Sequence, residues 1–216
     1  MTRTEMLAVY DHTGRRIGTK SREDVHRDHD WHTIAFVWVA WVDANGRRRF
    51  LLQFRGGRGD PFRGHVDAPA GGHVAADENH LEGALRECRE EMGFILGPDD
   101  LIHLGQRFME CPTGICRHAI QQLYLCRRPV RLEELRATEE VGGFVEVEMD
   151  AFAALLDGRR SRVDGRSMGA DGTGRIRSIA ITREHLAAYS MEVLESFRYA
   201  IRAIGRCLDR REPSES

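Results

Sequence analysis

The sequence predicts a mixed α/β fold whose strands and few helices pack most simply as an α/β/α sandwich. Runs rich in β-branched and aromatic residues predict strands, and the longest of them is "TIAFVWVAWV" at 33–42. Two stretches, 79–92 and 182–208, carry apolar residues at helical spacing. The 216 residues are 41% hydrophobic and 31% charged, an ordinary globular composition that can bury a core.

The first part of the chain predicts two hairpins. "MLAVYD" and "RRIGTK" flank the turn residues "HTG" and, with the polar connection "SREDVHRDHDWH", make an N-terminal unit over 1–30. Strands at 33–42 and 47–55 are joined by the turn signal "DANG". The glycine-rich stretch 56–64 then predicts a loop, followed by the extended "HVDAPAGGHV".

A helix is predicted between Asn79 and Gly93. Asn79 is followed three residues later by Glu82, which is the pattern of a capping box, and Gly93 is a natural C-terminal stop. The apolar stripe of this helix comprises Leu81, Ala84, Leu85, Cys88 and Met92.

Further strands are predicted at "LIHLGQRFM", "AIQQLYLCR" and "GFVEVEM", followed by a short helix at "DAFAALLDG". Residues 158–175 are rich in Gly, Arg, Asp and Ser, so we expect a mobile loop or irregular segment within a variable insertion over 158–180. A long amphipathic helix over 181–208 should dock on the domain or on a partner subunit, and would suit a homodimer. The tail 209–216 is predicted to be disordered.

Charge and hydropathy exclude several classes of partner. The formal net charge of −2 gives no bulk attraction to a nucleic-acid polymer or to a membrane surface. No apolar run reaches membrane-spanning length, and the first twenty residues lack the apolar region of a signal peptide. Five cysteines without a scaffold pattern indicate reduced thiols, so we expect a cytoplasmic protein.

Three carboxylates stand where a helix least favours them. Glu87, Glu90 and Glu91 lie near the C-terminal end of the 79–92 helix, where the helix dipole is negative and like charges repel. At about 100° per residue they share one arc, away from the apolar stripe. One interpretation is a solvated acidic face. The other is a site for a hard divalent cation, because Mg²⁺ takes carboxylates together with substrate phosphate oxygens.

The longer spacing favours the cation site. The stretch 72–94 resembles a complete Nudix box, GX5EX7REUXEEXGU with U apolar, although Cys88 and Phe94 stand where an aliphatic residue is usual. The resemblance implies a Nudix domain over 31–157 with the Nudix fold, a mixed-sheet α/β/α sandwich, to which the C-terminal helix is an addition. The fixed positions are Gly72, Glu78, Arg86, Glu87, Glu90, Glu91 and Gly93.

The resemblance also implies a chemistry. Glu87, Glu90 and Glu91 would hold Mg²⁺ or Mn²⁺, with the carbonyl of Gly72 as a further ligand. A metal-activated water would then attack a phosphorus atom in the diphosphate linkage of a small-molecule substrate.

Other residues would support this reaction. Glu78 and Arg86 would form an ion pair that fixes the loop–helix–loop, and Arg55 would lie near a substrate phosphate. The general base would be Glu91, or one of Glu139 and Glu140 in the loop "ATEEVGGF". For Arg55, Glu139 and Glu140, an ordinary surface position is the alternative interpretation.

Two other functions remain open. The N-terminal half resembles the Nudix branch that includes isopentenyl-diphosphate isomerase, which implies isomerase chemistry. In that family a cysteine just before the "HP" element moves a proton, whereas the matching stretch "VDAPAGGHV" has none. A non-catalytic domain that binds a nucleotide or a protein is the other alternative, but it would have no use for repelling carboxylates.

Two clusters of metal-ligating residue types lie outside the box. His26, His29 and His32 could form a metal site with His73, as histidines from comparable places do in the isomerase branch, or could be plain surface residues. Cys111, Cys116 and His118 are one ligand short of a tetrahedral zinc site and favour a loop with free thiols.

Overall fold

The computed structural model describes residues 4–111, 117–136, 138, 140–169 and 175–209. These residues form a nine-stranded mixed sheet and a separate two-stranded sheet, with helices on both faces of the larger one. The predicted mixed α/β sandwich is therefore confirmed. No helix among these residues is both long and apolar enough to cross a membrane.

Eleven strands are present in the described chain. They are β1 (Met6–Tyr10), β2 (Arg16–Ser21), β3 (His32–Val42), β4 (Arg48–Arg55), β5 (Val66–Asp67), β6 (Ala70–His73), β7 (Leu101–Glu110), β8 (His118–Cys126), β9 (Val141–Glu148), β10 (Arg162–Gly169) and β11 (Ile176–Thr182). The α-helices are α1 (Arg22–Asp28), α2 (His80–Glu87), α3 (Met149–Leu156) and α4 (Met191–Asp209).

Strand order places β3 and β4 in the interior of the large sheet. The order is β11-β10-β9-β4-β3-β8-β7, with β5 added to β4 and β6 added to β3. β3 pairs with β8 in parallel and with β4 and β6 in antiparallel register. Because β3 and β6 are paired, the residues that precede α2 lie beside the central strand.

Alternation along β3 divides the core between the two faces of the sheet. Trp38 and Ala40 pack with α3 and α4 on one face, whereas Val37 and Val39 pack with α2 on the other. Each fully buried side chain of this size contributes about 1.5–3 kcal/mol to stability. The helix that carries the acidic residues is thus fixed to the sheet by its apolar side.

The irregular segment predicted over 158–175 is wrong for the described residues, because 162–169 form a strand. β10 and β11 form a hairpin that extends the sheet from β9, and Val163 and Ile181 on it are buried. Residues 170–174, between these strands, lie outside the described residues. A Cβ at Gly165 would lie 2.8 Å from the carbonyl oxygen of Glu146, so the close approach of β10 to β9 requires glycine at this position. Glycine is unfavourable in strands, and its presence therefore makes the sequence resemble a loop.

The C-terminal helix begins later than the predicted residue 181. Residues up to Thr182 belong to β11, Arg183–Leu186 form a short 3-10 turn, and α4 starts at Met191. The apolar stripe of α4, including Phe197, packs on the chain's own sheet. The buried residues of this helix therefore dock on the chain's own domain, which is one of the two arrangements predicted.

Candidate active site

A cavity of about 610 Å³ opens at the edge where α2, β3, β6 and β7 meet. Its acidic wall consists of Glu87, Glu90, Glu91 and Glu140. Arg55, Arg86, Gly72 and His73 also line it, so the structure brings together most of the residues singled out in the sequence. Glu139 lies outside the described residues.

Local interactions fix the start of α2, which orients this wall. The side chain of Asn79 accepts hydrogen bonds from the N–H groups of Leu81 and Glu82, and Glu82 accepts one from the Asn79 N–H at 2.8 Å. The predicted capping box is confirmed. Such caps contribute about 1 kcal/mol to a helix.

The end of the helix differs from the regular geometry assumed in the sequence analysis. Residues Cys88–Met92 form a π-helical turn, and Gly93, with φ of 75°, donates its N–H to the carbonyl of Cys88. The three carboxylates consequently do not share one exposed face. Glu90 is exposed, with 51% of its side chain accessible, whereas only 12% of the Glu87 side chain is accessible. π-Turns of this kind occur frequently at functional sites.

Glu91 is held against the sheet. Its Oε2 accepts hydrogen bonds from the N–H of Gly71 at 2.9 Å and from Nε2 of Gln53 at 3.1 Å. Burial raises the pKa of Glu91 to about 8, and the neighbouring negative charge of Glu87 adds to the effect. Two donors thus orient a carboxylate whose negative form is disfavoured by its surroundings.

Glu87 packs against the backbone of β6. A Cβ built on Gly72 would lie 2.1 Å from Oε1 of Glu87, so only glycine leaves room for this carboxylate. Burial raises the pKa of Glu87, and the opposing influence of Arg86 is smaller. Gly72 and the carboxylate of Glu87, both predicted as metal ligands, are therefore direct neighbours.

Arg86 connects the acidic wall to the segment before the helix. Its guanidinium donates to both carboxylate oxygens of Glu78, at 2.9 and 3.1 Å, and to the carbonyl of His73 at 2.8 Å. It also donates to Glu87 at 2.7 Å and to Glu90 at 3.1 Å. The hydrogen bonds from Arg86 lower the pKa of Glu78. This arginine holds both ends of the motif together.

Arg55 is already engaged by two acids. Its Nε donates to Asp60 at 2.6 Å, and its Nη1 donates to Asp67 at 3.3 Å. Burial raises the pKa of Asp67, which also accepts a hydrogen bond from the hydroxyl of Tyr189 at 3.4 Å. Arg55 therefore enters the cavity as part of a neutralised network rather than as an isolated positive charge.

Three imidazoles meet beside the acidic wall. Ring nitrogens of His26, His32 and His73 all lie within 4.8 Å of one another, a spacing that could hold a metal ion. Nδ1 of His32 donates to the carbonyl of Asp30 at 2.9 Å, and burial lowers the pKa of His32 to about 4. His29 is not among them, because it caps α1 in a left-handed conformation with φ of 57°.

The cysteine loop does not assemble a zinc site among the described residues. Cys111 is buried, with its sulfur 3.4 Å from the hydroxyl oxygen of Ser190. His118 donates from Nδ1 to the carbonyl of His29 at 2.6 Å and stacks on Trp31. Cys116 lies outside the described residues.

The acidic wall fits a hard divalent cation. Burial disfavours the ionised forms of Glu87 and Glu91, and so does neighbouring negative charge, from Glu90 and Glu140 at Glu87 and from Glu87 at Glu91. A bound cation would reverse both effects. Glu140, although exposed, contributes further negative charge close to Glu87.

Sequence reasoning missed several residues of this site. Gln53 was assigned only to a strand, although a polar side chain within the apolar run "FLLQF" indicates a buried partner. Tyr189 and Val193 were assigned to a helical stripe, whereas they contact the cavity region. No local pattern could have shown that the C-terminal segment returns to this edge of the sheet.

Comparison with known proteins agrees with this geometry. A family model described as the NUDIX domain matches residues 16–164. An uncharacterized Nudix hydrolase of Clostridium acetobutylicum is 32% identical over 165 residues, covering 74% of this chain and 77% of the relative. Nudix hydrolase 3 of Arabidopsis thaliana is 30% identical over 159 residues, covering 70% of this chain but only 20% of that longer protein.

Solved structures show the same fold. The structure of DR0079 from Deinococcus radiodurans has a TM-score of 0.53 at 16% identity and covers 71% of this chain and 89% of its own. A MutT/nudix family protein from Enterococcus faecalis has a TM-score of 0.50 at 18% identity, covering 82% of this chain and 62% of its own. With the family match over most of the chain and a complete box around one cavity, this protein belongs to the Nudix family.

Proposed function

We propose that this protein is a hydrolase that depends on Mg²⁺ or Mn²⁺ and cleaves a diphosphate linkage in a nucleoside diphosphate derivative or a similar small molecule. Nudix hydrolases act on pyrophosphate bonds and generally use divalent metal ions. The observation that carries the proposal is the convergence of Glu87, Glu90 and Glu91 on one cavity, where burial disfavours the ionised carboxylates of Glu87 and Glu91 in the absence of a cation.

Four groups would hold the ion. They are the carboxylates of Glu87, Glu90 and Glu91 and the carbonyl of Gly72. When bound, such an ion supplies positive charge against phosphate oxygens and lowers the pKa of a coordinated water. Arg86 keeps Glu87 and Glu90 in place by donating to both, and Glu78 in turn holds Arg86.

Proton removal requires a carboxylate within reach of the attacking water. Glu91, which lines the cavity and is oriented by hydrogen bonds from Gly71 and Gln53, is the first candidate for the base. Glu140, which lines the same cavity, is the second candidate for the base. Arg55 would approach a substrate phosphate while Asp60 and Asp67 fix its guanidinium.

Isomerisation of isopentenyl diphosphate is the second candidate function. It is favoured by one observation, which is that the thiol of Cys111 lines the same cavity. Incubation with isopentenyl diphosphate in deuterated water distinguishes the two, because isomerisation incorporates deuterium and hydrolysis at phosphorus does not.

The test is a screen of diphosphate compounds with Mg²⁺ or Mn²⁺. It should include sugar nucleotides, dinucleotides, nucleoside triphosphates, coenzyme A and prenyl diphosphates, and measure release of phosphate or of a nucleoside monophosphate. Glu91→Gln should lose this release. Glu134→Gln is its matched control and should keep it, since Glu134 is an exposed glutamate outside the cavity. Absence of metal-dependent release from every compound, with a folded protein, would overturn the proposal.

A further inference from the structure

The cavity has a second wall of opposite character. Ile34, Phe36, Met109, Cys111 and Val193, here called the apolar patch, all line it and form one contact cluster. The patch combines residues of β3, β7 and α4, so it exists only in the folded chain. A cavity with an acidic wall and an apolar wall can bind a molecule that has one charged end and one apolar end.

The two walls meet at one glycine. Gly71 donates its N–H to Glu91 at 2.9 Å, and a Cβ built on Gly71 would lie 2.5 Å from the ring of Phe36. The apolar patch therefore begins directly beside the carboxylates. A group attached to a diphosphate bound at Glu91 would be brought against Phe36.

Part of the apolar side of the cavity comes from outside the family domain. The match to the NUDIX domain ends at residue 164, yet Ala188, Ser190 and Val193 line the cavity. We call residues 188–193 the closing segment. Because this segment lies outside the matched domain and yet lines the cavity, it is the part of the cavity best placed to set specificity.

The closing segment is anchored at its start. The N–H of Ala188 donates to Nε2 of His65 at 3.2 Å, while Nδ1 of His65 donates to the carbonyl of Phe62 at 3.1 Å. The ring of Tyr189 stacks on Phe62 with a centroid distance of 5.1 Å. These contacts join it to the β4–β5 loop on the other side of the cavity mouth.

The end of the closing segment is anchored to β7. Arg107 donates to the carbonyl of Glu192 at 3.4 Å and to the hydroxyl of Ser196. Ser196 also lies 3.6 Å from the sulfur of Met109. Val193, which lies between these anchors in the first turn of α4, is thus held as a fixed side of the apolar patch.

The apolar patch offers little hydrogen bonding to a ligand. The polar atoms at its edge are the sulfur of Cys111 and the hydroxyl of Ser190, and they are 3.4 Å apart, within bonding distance of each other. A sugar hydroxyl or the polar edge of a base placed here would lose hydrogen bonds to water without replacement. An alkyl group would lose none.

We propose that the apolar patch and the closing segment form a subsite for a small apolar group carried by the diphosphate substrate, and that Val193 is a specificity-determining residue of this subsite. The inference rests on the proposed function in one respect, since it requires the diphosphate to bind at the acidic wall. It adds the chemical class of the attached group.

Binding of two non-hydrolysable probes tests the proposal. The n-butyl and 2-methoxyethyl monoesters of methylenediphosphonate have the same number of heavy atoms, and only the first is wholly apolar. Calorimetry with Mg²⁺ should show at least fourfold tighter binding of the butyl ester. The two esters differ by one methylene, which contributes about fourfold when buried, and the ether oxygen also loses hydrogen bonds to water. The methylene analogue of ADP, measured in the same way, should bind more weakly than the butyl ester.

Variants of Val193 test whether the preference for the butyl ester arises at the proposed subsite. Val193→Asp should remove the preference for the butyl ester, and the isosteric Val193→Thr, which keeps the packing of α4, should reduce it several-fold. Val42→Asp is the matched control, because it makes the same change at a valine that is 48% exposed, lies outside the closing segment and does not line the cavity. It should bind both esters as the unaltered protein does.

The outcomes separate this proposal from the proposed function. Equal binding of the two esters, failure of both to bind, tighter binding of the ADP analogue, or an unchanged preference in both Val193 variants would each overturn the subsite. Hydrolysis in the compound screen without a preference for the butyl ester would overturn the subsite alone. A clear preference without hydrolysis of any compound would support the subsite and overturn the proposed function.

Discussion

The backbone of Gly72 and the carboxylate of Glu87 occupy adjoining space, so that a Cβ at residue 72 would lie 2.1 Å from Oε1 of Glu87. Gly72 pairs with Ala35 in the register of β3 and β6, which prevents the strand from moving away without breaking the sheet. Residue 72, which begins the box, must therefore be glycine because any larger side chain would overlap the carboxylate of Glu87.

Gly72→Ala should displace Glu87 and impair metal binding. Overpacking of this kind typically costs about 1–3 kcal/mol. We expect a lower urea midpoint and a loss of Mn²⁺-dependent stabilisation. Gly18→Ala, at a strand position with open space around the glycine, should change neither quantity. Normal Mn²⁺ stabilisation in Gly72→Ala would show that Glu87 does not contribute to the metal site.

Glu91→Gln should reduce turnover by about 10³-fold or more while the protein remains folded. The amide can still accept hydrogen bonds from Gly71, but it lacks the negative charge that burial disfavours. The metal-free variant should therefore melt at a higher temperature than the unaltered protein, measured by calorimetry with chelator present. Turnover close to that of the unaltered protein would contradict the role of Glu91.

Glu78→Gln should act mainly on stability. It weakens the paired hydrogen bonds to Arg86, which typically contribute about 1.5–3 kcal/mol when a charged group is involved. Partial exposure of both side chains places the expected loss near the lower end of that range. Chemical denaturation measures the loss, and kcat should fall far less than in Glu91→Gln.

Metal affinity should rise with pH. Burial raises the pKa of Glu91 to about 8 from its ordinary value of 4.5, so this group holds a proton at pH 6 that a metal ligand must release. The increase in melting temperature produced by Mn²⁺ should be larger at pH 8.5 than at pH 6. In Glu91→Gln the increase produced by Mn²⁺ should differ less between the two pH values. If the variant and the unaltered protein showed the same pH dependence, Glu91 would not be its origin.

Acid should destabilise the fold through His32. Burial lowers the pKa of His32 to about 4 from 6.5, so the unfolded chain binds a proton more readily, and stability is lost as pH falls below about 6.5. Between pH 7 and pH 5 this group should account for about 2 kcal/mol. His32→Asn, which can still donate to Asp30, should show a smaller loss of stability over that range in urea titrations.

The box is the part of the site that the sequence predicts well. Its fixed spacing lies within one short continuous stretch of the chain, so the sequence alone relates Gly72, Glu78 and Arg86 to one another. The burial of Glu91 could not be predicted in this way, because it depends on a π-turn and on Gln53 from another strand. Regular helical geometry predicts a face of the helix, whereas burial depends on what packs against that face.

The hairpin β10–β11 and the position of the closing segment are difficult to predict from the sequence for other reasons. Arg162 and Asp164 point outward while Gly165 allows two strands to approach closely, and this composition is also typical of loops. The contacts of Tyr189 with Phe62 and Asp67 join positions more than a hundred residues apart. Short-range periodicity carries no information about contacts at that separation.

The π-turn at Cys88–Met92 also makes the site sensitive to the deletion of a residue. In this turn the N–H of Gly93 reaches back five residues to Cys88, one more than in an α-helix. Deleting a single residue here would restore the ordinary helical repeat and swing the following side chains by about 100° around the axis. Glu91 would then turn away from Gly71. The number of residues in this turn, and not only their types, therefore determines where the carboxylate of Glu91 lies.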